Sequence, residues 1–190
     1  MDATDKRKAL GAVAKQTAGC KDCGLCAGRT NSVPGEGNAD ADIMCIGEGP
    51  GFYEDQQGRP FVGASGKFLD ELLGGIGLDR RKVFIANVVK CRPPENRTPL
   101  PDEIATCSPF LFKQVQAIRP RVIVCLGTPA AQTVLGTRDT ITRLRGSFHD
   151  LDGIRVMPTF HPAYLLRNPA AKREVWDDMK KVMAELRAAG

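Results

Sequence analysis

The chain has no apolar run approaching the roughly 20 residues that a membrane-spanning helix requires. Its N-terminus, MDATDKRKALGAVAKQ, is charged and lacks the apolar stretch of a signal peptide. Both absences point to the cytoplasm, where thiols stay reduced and clustered cysteines bind metal more readily than they form disulfides. Neither a GxxxxGKS/T nor a GxGxxG pattern occurs, so nucleotide hydrolysis and dinucleotide binding have no sequence support. There is no internal repeat and no low-complexity segment, and the only histidines are His149 and His161.

What is present reads as one domain over 190 residues, with 42% hydrophobic and 26% charged content. A chain of this length buries about 70% of its unfolded surface around a single core. The net charge of +5 permits contact with a polyanion without demanding it. Arg92 and Arg97 flank prolines in one loop, Arg143 and Arg145 sit in another, and Arg167 follows a histidine motif. Such placement suits a surface that tracks phosphates, and it also suits scattered surface charge.

Four short runs, DIMCIG (42–47), VFIANVV (83–89), RVIVCLG (121–127) and IRVMPTF (154–160), are apolar on consecutive positions. That is the pattern of strands covered on both faces. Helical patterns lie between them: SGKFLDELLGGIG, PDEIATCSPFLFKQVQAI with a bend expected at Pro109, TPAAQTVLG opening at Thr128 and Pro129 and closing at Gly136, and a final amphipathic AAKREVWDDMKKVMAEL. The alternation predicts a three-layer α/β/α sandwich around a small, central, mostly parallel four-stranded sheet. Function is then expected on the loops beyond the C-terminal strand ends.

Of seven cysteines, Cys45 and Cys125 fall inside strand runs and read as core. Cys20, Cys23, Cys26, Cys91 and Cys107 are left for a four-ligand site, with zinc and an iron–sulfur cluster both open. The N-terminal arm, 1–40, would supply part of it.

The first strand runs into GEGPGFYEDQQGRPFVGASG (47–66), whose glycines let backbone approach a ligand, with the amides of Gly63 to Gly66 free to hold an anion. Glu48, Glu54 and Asp55 oppose a phosphate there and favour a neutral polar ring. Phe61 is a stacking platform or a plug. Asn87 interrupts an apolar strand, and its amide offers a donor beside an acceptor, matching the O4 and N3–H edge of uracil and mismatching cytosine. His161, in HPAYLLR, is a helix cap or a catalytic group.

Taken together, GEGPG…ED…GRPFVG, NVVKCRPPENR and HPAYLLR resemble the family 4 uracil-DNA glycosylases, from Cys20 to the final helix. The family's CxxCxLxxxR pattern is met by Cys20, Cys23, Leu25 and Arg29. The resemblance implies a structural [4Fe-4S] cluster on Cys20, Cys23, Cys91 and Cys107, leaving Cys26 aside, and hydrolysis of the uracil–deoxyribose bond after base flipping. It implies that Gly49 and Phe61 contact uracil, that Asn87 reads its edge and that His161 donates to O2. Gly49 stands where family 1 enzymes carry an aspartate, so Glu54 is the expected water-positioning group or a guard against thymine. Glu48 is expected to bond Asn96 and hold two loops together. Ser65, Arg92, Asn96, Arg143, Arg145 and Arg167 are expected DNA contacts, with Leu165 and Leu166 as the wedge beside the flipped base or as ordinary core. The covalently trapping relatives carry a KRRIH-type insert, and CRPPENRTPLP has no histidine, which favours turnover. A non-catalytic or covalently trapping uracil-binding module of the same fold is the alternative. The implied setting is a monomer acting on uracil-containing DNA, single- or double-stranded, in the nucleoid of a prokaryotic cytoplasm, away from membranes, with the sliding clamp used by some relatives as an open partner.

Overall fold

The structure is a computed structural model that describes residues 1–188. Six strands form one sheet: β1 (Glu36–Gly37), β2 (Ile43–Gly47), β3 (Phe84–Asn87), β4 (Val122–Leu126), β5 (His149–Leu151) and β6 (Ile154–Thr159). Their order is β1-β3-β2-β4-β6-β5, and the inner four are parallel. These four are the runs expected from sequence. The additions, β1 and β5, pair antiparallel at the two edges and are only two and three residues long, too short to show a period.

The helices are α1 (Ala3–Gly19), α2 (Phe52–Gln57), α3 (Ala64–Gly75), α4 (Pro101–Ile118), α5 (Thr128–Leu135), α6 (Ile141–Leu144), α7 (Pro162–Arg167) and α8 (Lys172–Ala188). Each inner strand feeds both faces of the sheet. Met44 and Ile46 join Leu111, Val115 and Ala130 on one side, while Ile43 and Cys45 join Leu69, Leu72 and Val175 on the other. This alternation produces the three layers, because a strand covered on both faces is apolar at every position. Cys45 and Cys125 are fully buried, and burial pushes the Cys45 thiol up to about 12.

Two local expectations change. Helix α4 runs unbroken through Pro109. Helix α5 is entered from Gly127 at φ 94°, so Thr128 is its first residue and not its cap; Gly136 closes it at φ 62° as expected.

Strand β2 lies between β3 and β4: the chain steps from β2 to β3 on one side and then crosses back past β2 to β4 on the other. Ligands in open parallel sheets bind beyond the carboxyl ends at such a switch point. Gly47 and Asn87, which end β2 and β3, and Gly127 and His161, just beyond β4 and β6, all lie at that edge.

Candidate active site

A cavity of about 390 Å³ opens at the switch point. Its wall includes Glu48, Gly49, Glu54, Phe61, Ser65, Asn87, Asn96, His161 and Arg167, all singled out in the sequence. The segments that follow three strands, β2, β3 and β6, therefore converge here as the strand-end rule predicts.

Asn87 ends β3 directly opposite Gly47 of β2. A methyl group on Gly47 would stand 2.5 Å from Asn87 Oδ1 and 2.6 Å from the Phe61 ring, so glycine is what lets amide and ring share this floor. The Asn87 side chain is buried, and its Oδ1 has no hydrogen-bond partner among the described residues. An unpaired buried carbonyl costs about 1–3 kcal/mol. Facing a cavity, it is an acceptor waiting for an N–H.

Phe61 is held in a left-handed conformation, φ 52°, by contacts around its own carbonyl. Arg80 donates to the carbonyls of Pro60 and Phe61 while pairing with Glu36 and Asp70. A Cβ at Gly66 would fall 1.8 Å from the Phe61 oxygen. The ring centroid lies 5.7 Å from that of His161, the planes 30° apart.

His161 Nδ1 accepts the Ala163 N–H at 3.0 Å and so caps α7. Burial first, then the Arg167 charge, lowers its pKa to about 4, with Glu54 acting the other way. The neutral ring with Nδ1 accepting carries its proton on Nε2. The cap occupies Nδ1 alone, so of the two alternatives in the sequence the cap is formed and Nε2–H is left for the cavity.

The two glutamates differ. Glu54 Oε1 accepts from Val62 and Gly63 N–H at 3.0 and 3.1 Å, and Oε2 accepts from Gly51 N–H at 3.1 Å. Glu54 therefore ties up the Gly63 amide that the sequence reading left free for an anion, and it staples the glycine loop shut. Glu48 receives no backbone donor among the described residues; burial raises its pKa, and the Thr98 hydroxyl acts against that. The expected Glu48–Asn96 bond is not formed among the described residues; Asn96 instead accepts at Oδ1 from Arg92 Nε at 2.7 Å.

The expected DNA-contacting residues separate. Arg92 and Arg167 stand at the cavity, Arg92 through its bond to Asn96. Arg145 does not present its charge outward: it pairs with Glu174 and buried Asp178 at 2.8 and 2.9 Å and lies over Phe160, pinning α8 to the sheet. Arg143 is exposed, paired with Asp139 and outside the cavity wall. Leu165 is fully buried in the core, which removes it from the wedge, whereas Leu166 is 46% exposed. Neighbours on a helix point about 100° apart, so one leucine must face inward. Tyr164, stacked on Phe160 at 4.8 Å and lining the cavity, was not singled out.

A second, narrower pocket is lined by Cys20, Cys23, Cys26, Cys91 and Cys107. Arg29 donates to Cys91 Sγ at 3.0 Å and to the last carbonyls of α1, and the Lys90 N–H donates to Cys107 Sγ at 3.2 Å. Burial raises the thiol pKa values of Cys20, Cys91 and Cys107, the last to about 11. Among the described residues no three His, Cys, Asp or Glu side chains gather tightly enough for one metal ion. A zinc ion would draw its sulfurs to about 2.3 Å from a single centre.

Sequence reasoning missed Lys90, which links the two pockets. It is buried, and its Nζ donates to the Asn87 carbonyl at 2.9 Å and to Gln114 Oε1 at 2.7 Å. Burial lowers its pKa to about 7. The signal was a lysine placed directly after an apolar strand and directly before a cysteine. A second link runs from Thr30 and Asn31, whose N–H groups reach buried Asp55 of α2.

Residues 34–180 match the family model described as the uracil DNA glycosylase superfamily. The type-4 uracil-DNA glycosylase of Thermotoga maritima is 48% identical over 94% of this chain and 95% of its own length. Those of Archaeoglobus fulgidus and Saccharolobus solfataricus are 43% and 44% identical, over 92% and 93% of this chain and 92% and 86% of their own lengths.

Proposed function

Since the chain belongs to the uracil-DNA glycosylase superfamily and to its type-4 branch, we propose that it is a monofunctional repair enzyme that extracts uracil from DNA and hydrolyses its glycosidic bond. The single observation that carries this reading is the unpaired Oδ1 of Asn87, buried in the cavity floor beside Phe61. Uracil N3–H satisfies that acceptor, and O4 takes the amide N–H beside it. Cytosine offers an unprotonated N3 and would leave the acceptor orphaned. Phe61 stacks on the ring.

As the bond to C1′ lengthens, negative charge gathers on uracil O2. The His161 Nε2–H, fixed by the α7 cap, donates to it without proton transfer, since the ring is neutral. Removing one such preorganised donor costs about 3 kcal/mol in the barrier. The attacking water is held by Glu48, the carboxylate without backbone donors, while Glu54 keeps the loop closed. Glu48 acts as carboxylate, so its raised pKa makes activity fall, on acidification, at a higher pH than an ordinary glutamate would set.

The thiols fit a [4Fe-4S] cluster on Cys20, Cys23, Cys91 and Cys107: they share one pocket, and N–H donors meet two of the sulfurs, the kind of hydrogen bond that tunes such clusters. Bound there, it supplies a cross-link between the N-terminal arm and the β3–α4 loop, and no chemistry at the base.

The test is single-turnover cleavage of end-labelled DNA carrying one uracil, with and without alkali and with an SDS gel for adducts. Strand breakage only after alkali is expected; an intact strand or a covalent adduct overturns the reading. Asn87→Asp should lower uracil excision at least about tenfold, by putting a charge against O4. Unchanged kinetics would remove Asn87 as reader of the base.

A further inference from the structure

Phe52 and Tyr53 form the first turn of α2, immediately after cavity-lining Gly51. They are 48% and 60% exposed, and the one buried residue of that helix is Asp55. The two aromatics therefore add nothing to the core, and neither capping nor helix propensity asks for them at these positions. Their rings meet edge to face, centroids 5.4 Å apart, so they stand as a right-angled step on the rim. The step is bounded on one side by Gly63 at the start of α3, which lies against the Tyr53 ring. On the other side the Arg92 guanidinium lies 5.2 Å from the Phe52 centroid, with its Nε held by Asn96 of the cavity wall.

We propose that Phe52 and Tyr53 are a second binding subsite, a platform on which the base next to the extracted uracil stacks while Arg92 meets the intervening phosphate. This rests on the uracil reading of the cavity. A flipped nucleotide leaves its neighbours with one unstacked face, and an exposed aromatic at the mouth offers that face a partner. Every base has such a face, so the subsite is indifferent to sequence. Arg92 keeps its terminal N–H groups available, since the Asn96 bond uses only Nε. The occupant is a nucleobase of the substrate strand, on charge complementarity and on continuity with the uracil cavity.

The experiment uses single-stranded oligonucleotides with one uracil, where no base-pair opening enters. One is intact, and two carry a tetrahydrofuran residue, which lacks a base, on the 5′ or the 3′ side of the uracil. Uracil release from the intact strand by the native chain, read as breakage after alkali, is the control, and its absence would overturn the glycosylase reading and not the platform alone. In Phe52→Ala/Tyr53→Ala the half-saturating concentration on the intact strand should rise at least about fivefold, the equivalent of about 1 kcal/mol per stacked base. On one of the two gapped strands that penalty should shrink to less than about twofold. Phe52→Leu, which keeps an apolar side chain and loses the ring, should show the same pattern. No penalty on the intact strand, or an equal penalty on all three, would overturn the proposal and leave the rim to a protein partner or to loop packing.

Discussion

At the scale of single residues, the site works by giving each polar atom one task. His161 spends Nδ1 on the α7 cap and keeps Nε2–H for the cavity. Its folded pKa of about 4 lies below the ordinary 6.5, so between these values the unfolded chain binds a proton that the folded chain does not. Stability from this group is therefore complete above pH 6.5 and is lost as pH falls toward 4. In NMR the His161 ring signals should hold still from pH 8 to 5.5; a midpoint near 6.5 would contradict the buried, neutral ring. Glu48→Gln should reduce the single-turnover rate about a hundredfold or more, the usual range for a lost general base. Glu54→Gln should act mainly on stability, seen as a lower Tm, since one of its oxygens becomes a donor facing backbone N–H groups. The reverse ranking of the two rates would return the water to Glu54. Asn87 was legible in the sequence because it interrupts an apolar strand, Phe61 because it is an aromatic held between glycine turns, and His161 because it follows the last strand beside a proline. Lys90 and Arg145 were not, because a cation in sequence reads as surface and only the packing reveals that its partners are internal.

At the scale of elements, the loop between β2 and α3 is held shut from both sides. Glu54 gathers three of its amides, and Arg80 gathers its carbonyls at Pro60 and Phe61. Gly66 is the point where α3 passes closest, so Gly66→Ala should displace Phe61 and destabilise by about 1–3 kcal/mol, as overpacking does. A drop in Tm with weakened uracil binding would be the sign; a Tm and affinity equal to those of the native chain would mean that the loop yields without effect. The four central strands were readable because each carries a run of consecutive apolar residues, broken only by Asn87 at the end of β3 and by Arg155 and Thr159 in β6. The edge strands and the six-residue α2 were not, since two to six residues cannot display a period and are set by tertiary partners. The leucine pair of α7 illustrates the same limit: adjacent apolar residues announce that one is buried without saying which.

At the scale of the whole molecule, the thiol pocket and the strand-end cavity are separate but share two supports. One runs from Arg29 through Thr30 and Asn31 to Asp55 of α2, and the other runs through Lys90 to the carbonyl of Asn87. On the proposed [4Fe-4S] cluster, the native chain should be brown with absorbance near 400 nm, and Cys107→Ala should abolish that colour and lower Tm by several degrees, with weaker uracil binding as the supports loosen. Retention of colour with four equivalents of iron would instead enlist Cys26, which lines the same pocket. Lys90 also gives the molecule a built-in reporter. It is the one lysine in the buried set among the described residues, so an amine-reactive label should modify it last. Its labelling half-time, read by mass spectrometry, would then clock how often the joint between the two pockets breathes open, and uracil in the cavity should slow that clock.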